Sequence, residues 1–247
     1  MSNFRLIQRR SPNFDQRIND CVIDMLVLHY TGMINADMAL QRLCNSDAKV
    51  SAHYFIDEKG ECFQLVEEAN RAWHAGKSSW AGSSDINSRS IGIELVNAGH
   101  ELDYKPFPEA QMNSLERLTK DIIIRHVIPA HRILGHSDIA PSRKRDPGEL
   151  FDWRRLASIG IGLWSNKKYA ASTDGGTLGP GMSGKAVSQA QQKLSYFGYH
   201  IEKTGHYDPA TQEVVTAFQR HYRPERVDGL FDSLCWDRLL DLLSQIE

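Results

Sequence analysis

The stretch Cys21-Val22-Ile23-Asp24-Met25-Leu26-Val27-Leu28 constrains the fold more than any other, because it is apolar at nearly every position. A strand with one face in water alternates apolar and polar residues. A nearly continuous run is what a strand needs when both faces of its sheet are covered. The chain is therefore expected to build a sheet with further layers packed on either side. The run ends in His29-Tyr30-Thr31-Gly32, so a buried strand delivers an imidazole to the rim of that sheet.

The pattern recurs at Ile133-Leu134-Gly135, a short apolar strand that runs into His136 and then into a loop rich in cation-binding groups. Asp146 stands before Pro147, and a residue before proline is pushed out of the α region into extended geometry. Lys144 and Asp146, two apart, are then expected to point the same way and share a volume with His136. Taken alone, a strand-end histidine also reads as a hydrogen-bonded structural residue, and Asp-Pro-Gly also reads as a turn. A third strand, residues 90–97, puts Ile91, Ile93 and Leu95 on one face and Gly92, Glu94 and Val96 on the other. A carboxylate in so apolar a strand is costly unless it meets a cation, a metal or water. Gly92 leaves room beside it. A structural ion pair is the plainer reading of Glu94, and a catalytic role is the sharper one.

Around these strands the chain supplies covering elements. Residues 36–43 have helical spacing. Residues 51–56 and 61–66 flank Asp57-Glu58-Lys59-Gly60 and read as a hairpin. The loop from Arg71 to Ser88 holds Trp73 and Trp80 and is expected to line or cover a site. Pro108 opens a long helix through Met112, Leu115, Leu118 and Ile122, and residues 151–156 read as another. The first 17 residues read as a polar arm without the apolar segment of a secretory signal.

Residues 165–181, SNKKYAASTDGGTLGPG, lose all periodicity and read as a linker. Three short amphipathic helices follow. They are marked by Val187, Ala190, Leu194 and Phe197; by Val214, Phe218 and Tyr222 after Asp208-Pro209; and by Trp236, Leu239, Leu240 and Leu243. Such a bundle of roughly 65 residues is about the least that folds alone. The expected organisation is a domain over 1–164, a linker over 165–181 and a bundle over 182–247, with the first domain folding without the last.

Composition excludes several classes. Net charge is −2 over 247 residues with both signs interspersed, so no basic footprint points to nucleic acid. No run approaches the roughly 18 apolar residues of a membrane span. The four cysteines have no paired spacing and read as free thiols rather than a disulfide framework or metal cluster.

Catalytic zinc commonly takes three protein ligands and leaves a fourth position for water. His29, His136 and Asp146 supply two imidazoles and one carboxylate at strand ends or in the loop after one, an arrangement unlike the helical H-E-x-x-H. One zinc ion per chain is expected. Glu94 would serve as the general base that passes a proton from water to a leaving amine, and Lys144 would stabilise a developing oxyanion. Together these roles describe amide hydrolysis.

Residues 23–165 resemble the zinc N-acetylmuramoyl-L-alanine amidases, the family of the AmpD and AmiD enzymes. The resemblance rests on Leu28-His29-Tyr30-Thr31, Ser51-Ala52-His53-Tyr54, Arg71-Ala72-Trp73-His74-Ala75-Gly76, Ser90-Ile91-Gly92-Ile93-Glu94-Leu95, Gly135-His136-Ser137-Asp138-Ile139-Ala140-Pro141 and Arg143-Lys144-Arg145-Asp146-Pro147-Gly148. It implies the same three zinc ligands, with Glu94 and Lys144 catalytic. It also implies an α/β (α+β) fold with a central mixed β-sheet flanked by helices. Residues 183–243 resemble the three-helix peptidoglycan-binding module through Gly198-Tyr199, Asp208-Pro209-Ala210-Thr211, Ala217-Phe218-Gln219 and Val227-Asp228-Gly229, although residues 231–236 lack the threonine usual there.

The activity implied is hydrolysis of the amide between the lactyl group of N-acetylmuramic acid and L-alanine of the stem peptide. Peptidoglycan or anhydro-muropeptides would be the substrate, in wall turnover or recycling. Trp73, His74 and Tyr30 are expected substrate contacts, and His53 a core or site-supporting residue. His100, His126, His131, His200, His206 and His221 read as surface or packing residues. The alternatives are a peptidoglycan-recognition protein that binds without cutting, and a zinc peptidase acting on stem-peptide bonds. A monomer is expected. The wall-binding module favours the cell envelope or periplasm, and the lack of a visible signal peptide favours the cytoplasm.

Overall fold

Met25, Leu26, Val27 and Leu28 have no exposed surface at all, which is what the continuous apolar run requires. The computed structural model describes residues 5–18, 21–168 and 176–246. Its strands are β1 (Leu6–Gln8), β2 (Phe14–Gln16), β3 (Met25–Tyr30), β4 (Tyr54–Ile56), β5 (Cys62–Gln64), β6 (Asn70–Ala72), β7 (Ser90–Leu95) and β8 (Ile133–Gly135). Its helices are α1 (Ala36–Leu43), α2 (Ile86–Arg89), α3 (Glu109–His126), α4 (His136–Ile139), α5 (Trp153–Ser158), α6 (Lys185–Phe197), α7 (Pro209–Tyr222) and α8 (Ser233–Ser244). The central sheet runs β1-β5-β4-β7-β3-β8. It is mixed: β3 pairs in parallel with β7 and β8, while β4 and β5 form the antiparallel hairpin.

Strand alternation divides the sheet into two faces. Leu26, Leu28, Ile91 and Ile93 pack under α3, through Met112, Leu115, Leu118 and Ile122, and under Leu156 of α5. On the other face, Phe55 and Val96 are covered by Ala39, Leu40 and Leu43 of α1. Gly60 closes the hairpin at φ +82, and a Cβ there would lie 2.5 Å from the Ala110 carbonyl oxygen, so the turn backs directly onto α3.

The rest of that second face departs from the expected organisation. Met25, Val27, Leu134, Trp80, Ile86 and Ile139 share one continuous apolar core with Val187, Leu194, Phe197, Phe218, Tyr222 and Leu239. The three-helix bundle is therefore the second covering layer of the sheet and not a separately packed unit. Residues 169–175 of the expected linker lie outside the described residues. Leu178, within the same segment, is buried and exchanges two backbone hydrogen bonds with Phe231. The bundle's packing thus begins before residue 182.

The polar arm is also built into the fold. β1 adds to the sheet edge beside β5, and β2 pairs with β6. Asn13 Nδ2 donates to the carbonyls of Asn45 and Val50, and the Arg17 guanidinium donates to those of Glu68, Asn87, Ser88 and Ser90. Strands of three residues are too short to show a period, and polar side chains bonding backbone leave no apolar signal. No helix among the described residues is long and apolar enough to cross a membrane.

Candidate active site

Three elements bring His29, His136 and Asp146 together. His29 is the penultimate residue of β3 and continues the face of Met25 and Val27. His136 opens α4 directly after β8. Asp146 returns to the same place because the Ser137 N–H donates to the Asp146 carbonyl at 2.9 Å; the Asp146–Pro147 peptide is cis. All three residues are buried. His29 Nδ1 and His136 Nδ1 lie 2.9 Å apart, and each is 3.1 Å from Asp146 Oδ2.

Hydrogen-bond partners fix which nitrogens carry protons. His136 Nε2 donates to the Ala75 carbonyl at 3.0 Å, leaving Nδ1 bare. The Ser90 hydroxyl donates to the Ile86 carbonyl at 2.7 Å and so accepts from His74 Nε2 at 3.2 Å. His74 Nδ1 then accepts from His29 Nε2 at 3.0 Å, which leaves His29 Nδ1 bare as well. Two imidazole lone pairs and a carboxylate oxygen therefore converge with no proton between them, an arrangement that repels unless a cation sits at its centre. Tetrahedral bonds of the length zinc makes to nitrogen place ligand atoms about 3.3 Å apart, within a few tenths of an ångström of this spacing. The donor set fits a metal.

Burial comes first in holding the His29 imidazole down at about 4, followed by the neighbouring His136, with Asp146 opposing. Both histidines must be neutral to ligate.

Glu94 stands level with His29 on β7. Its Oε2 is buried without a hydrogen-bond partner, and Glu94 makes no salt bridge among the described residues. Burial, then the charge of Asp146, pushes its carboxyl up to about 8, with Lys144 opposing. A cleft of about 380 Å³ opens over the cluster, lined by Tyr30, His74, Glu94, His136, Lys144 and Asp146, and also by Arg42 and Val50. Lys144 and Asp146 both line this one volume, with Asp146 in a turn.

Trp73 does not line this cleft. Its backbone is tied to Ser51, and the adjacent His74 takes the inward direction. The His74 ring fills the space that Gly92 leaves, where a Cβ would lie 2.4 Å from the His74 Cγ. Trp80 is buried against Phe197 and Tyr199 rather than in the site. Sequence reasoning missed Arg143, whose guanidinium donates to the Ala75 and Lys77 carbonyls and so holds the acceptor used by His136. It also missed His100, which is 2.9 Å from the Tyr30 hydroxyl and stacks on Tyr104. Their signals were a motif arginine and an aromatic-histidine cluster, neither distinctive in one sequence.

Residues 19–149 match the family described as N-acetylmuramoyl-L-alanine amidase, and residues 183–239 match the putative peptidoglycan binding domain. The chain is 36% identical over 230 residues to the N-acetylmuramoyl-L-alanine amidase AmiD of Escherichia coli (strain K12), covering 85% of this chain and 79% of that protein. It is 37% identical over 169 residues to the 1,6-anhydro-N-acetylmuramyl-L-alanine amidase AmpD of Haemophilus influenzae, covering 61% of this chain and 90% of that one. The solved complex of E. coli AmiD with anhydro-N-acetylmuramic acid-L-Ala-D-gamma-Glu-L-Lys superposes with a TM-score of 0.76 at 33% identity, over 96% of this chain and 93% of that one. AmpDh3 of Pseudomonas aeruginosa in complex with an anhydromuramic pentapeptide superposes with a TM-score of 0.75 at 28% identity, over 96% of each chain.

Proposed function

The chain belongs to the N-acetylmuramoyl-L-alanine amidase family, and from that premise we propose that its cleft cuts the amide between the lactyl group of N-acetylmuramic acid and L-alanine, with His29, His136 and Asp146 holding one zinc ion. The observation that carries the metal assignment is the convergence of two bare imidazole nitrogens and a carboxylate oxygen within 3.1 Å of one another. Zinc bound there supplies Lewis acidity toward a carbonyl oxygen and brings the pKa of water toward about 7.

The chain's own residues carry the proton and the charge. Glu94, with one carboxylate oxygen free of partners, takes a proton from the attacking water and returns it to the amine of the departing L-alanine. Lys144 lines the same cleft, and its ammonium offsets the charge that develops on the carbonyl oxygen. The substrate is peptidoglycan or the muropeptides derived from it, supported by the muropeptide complexes of the two relatives. The peptidoglycan-binding match at residues 183–239 favours the cell envelope as the place of action, with the cytoplasm as the alternative.

Elemental analysis of the purified protein should find one zinc per chain, lost in His136→Ala together with cleavage of anhydro-muramyl peptides. Full zinc content in that variant would remove His136 from the ligand set. A zinc-loaded parent that binds these peptides without cutting them would make the protein a recognition module.

A further inference from the structure

Asp138 belongs to the turn that carries His136, yet no catalytic role above uses it. Its side chain is fully buried, and the carboxylate is shared between the sheet and the bundle. Oδ2 accepts from the Gly135 N–H at 2.7 Å and from His221 Nδ1 at 2.7 Å, and Oδ1 accepts from the Tyr199 hydroxyl at 2.6 Å. Tyr199 follows α6 and His221 lies in the last turn of α7, so two of the three donors come from the C-terminal bundle.

Both donors are themselves held in place. The His221 ring lies between Trp153, at 3.7 Å, and Tyr222, at 3.8 Å, nearly parallel to each. Tyr199 packs edge-on against Trp80 at 4.9 Å. A buried carboxylate is tolerated only when donors replace its water. Without the bundle, Asp138 would keep one donor, the Gly135 N–H, and α4 would lose both of its side-chain ties to the bundle. The backbone of α4 also sets Asp146, through the Ser137 N–H.

We propose that Tyr199 and His221 are positioning residues of the amidase centre: by holding Asp138 they fix the turn that carries His136. The metal affinity of the sheet unit then depends on the bundle docked against it. This use of the bundle is distinct from wall binding, because it engages buried groups rather than a surface. It rests on the reading of His136 as a metal ligand.

The test uses the full chain and measures zinc affinity by competition with a chromophoric chelator, alongside the unfolding midpoint of the metal-free protein and kcat and KM at saturating zinc. Tyr199→Phe removes one hydroxyl. His221→Phe keeps the stacked ring and removes the donor, and His221→Asn returns an amide N–H near the lost Nδ1. Val187→Ala loosens the same shared core at a residue that touches neither Asp138 nor its donors.

Tyr199→Phe and His221→Phe should weaken zinc binding at least about 10-fold, the low end of what groups supporting metal ligands contribute, with KM unchanged. His221→Asn should recover most of the affinity, and Val187→Ala should leave it intact. Parental zinc affinity in both Tyr199→Phe and His221→Phe, or an equal loss in Val187→Ala, overturns the proposal. Should His221→Phe fail to fold, Tyr199→Phe carries the test alone. His136→Ala separates the two readings: zinc retained there rejects the ligand assignment, whereas zinc lost there and kept in the bundle variants rejects only the positioning role.

Discussion

His29 and Glu94 are register partners on the neighbouring parallel strands β3 and β7. The backbone ladder itself therefore sets a proposed metal ligand beside the proposed base, at the roughly 4.8 Å spacing of adjacent strands. A loop could drift; two paired central strands cannot.

The first prediction follows from that pairing. Glu94→Gln keeps shape and strand pairing and removes the base, so zinc content and muropeptide binding should persist. Turnover should fall by about 10²-fold or more. Isothermal titration, metal analysis and muramoyl-L-alanine cleavage on one preparation decide it. A zinc-loaded variant retaining most of its activity would falsify the assignment of Glu94 as base.

His74 offers a second test, because the sequence suggests a substrate contact while the geometry puts its Nδ1 behind His29. His74→Ala removes the acceptor that keeps the His29 Nδ1 bare. Zinc affinity should fall about 10-fold or more, with KM at saturating zinc little changed. A raised KM with parental zinc affinity would assign His74 to substrate instead.

A third prediction concerns separability. Ending the chain at Ser165 uncovers Met25, Val27, Trp80, Leu134 and Ile139. Exposing such side chains costs about 1.5–3 kcal/mol each, and a domain has only about 5–15 kcal/mol to lose. The full chain should melt in one cooperative transition, and residues 1–165 alone should bind a hydrophobic dye and melt broadly or precipitate. A sharp transition for the shortened chain, near that of the parent, would show that the two units are independent.

The fourth concerns acid. The Gly92 N–H donates to His53 Nδ1 at 3.0 Å, and that nitrogen must stay unprotonated. Burial first, then Arg17, holds His53 at about 3, against 6.5 for an ordinary histidine. Between those values the unfolded chain binds a proton that the folded chain refuses. The stability is complete above pH 6.5 and is lost as pH falls toward 3. Moving from pH 7 to 5 should cost about 2 kcal/mol through this residue alone. Urea unfolding at both pH values, for the parent and for His53→Asn, measures it. An unchanged pH slope in the variant would exclude His53 as the source.

Much of the site was legible because strand burial writes a loud signal. The apolar runs before His29 and His136, and the lone carboxylate after Gly92, needed no knowledge of which elements touch. The sequence even showed that Gly92 leaves a gap, though not that His74 fills it. Docking of the bundle was not legible. Phe197, Phe218 and Tyr222 lie on amphipathic stripes whose inner and outer edges look alike, so an interface reads as core. Tyr199 and His221 are ordinary residues until Asp138 is placed between them. The arm over residues 6–17 stayed hidden because backbone pairing and polar clamps leave no period.

The shared core has a consequence for how the molecule is born. Residues 25–139 leave the ribosome well before residues 187–243, so the sheet's second face and the Asp138 carboxylate emerge while their cover is still being translated. Domains generally fold as units in order of synthesis, but here the earlier unit emerges with one face of its sheet still uncovered. Peptidoglycan-cutting activity would then switch on only when translation reaches the end of the bundle, and a nascent or prematurely stopped chain would carry the whole catalytic sequence without being an active hydrolase.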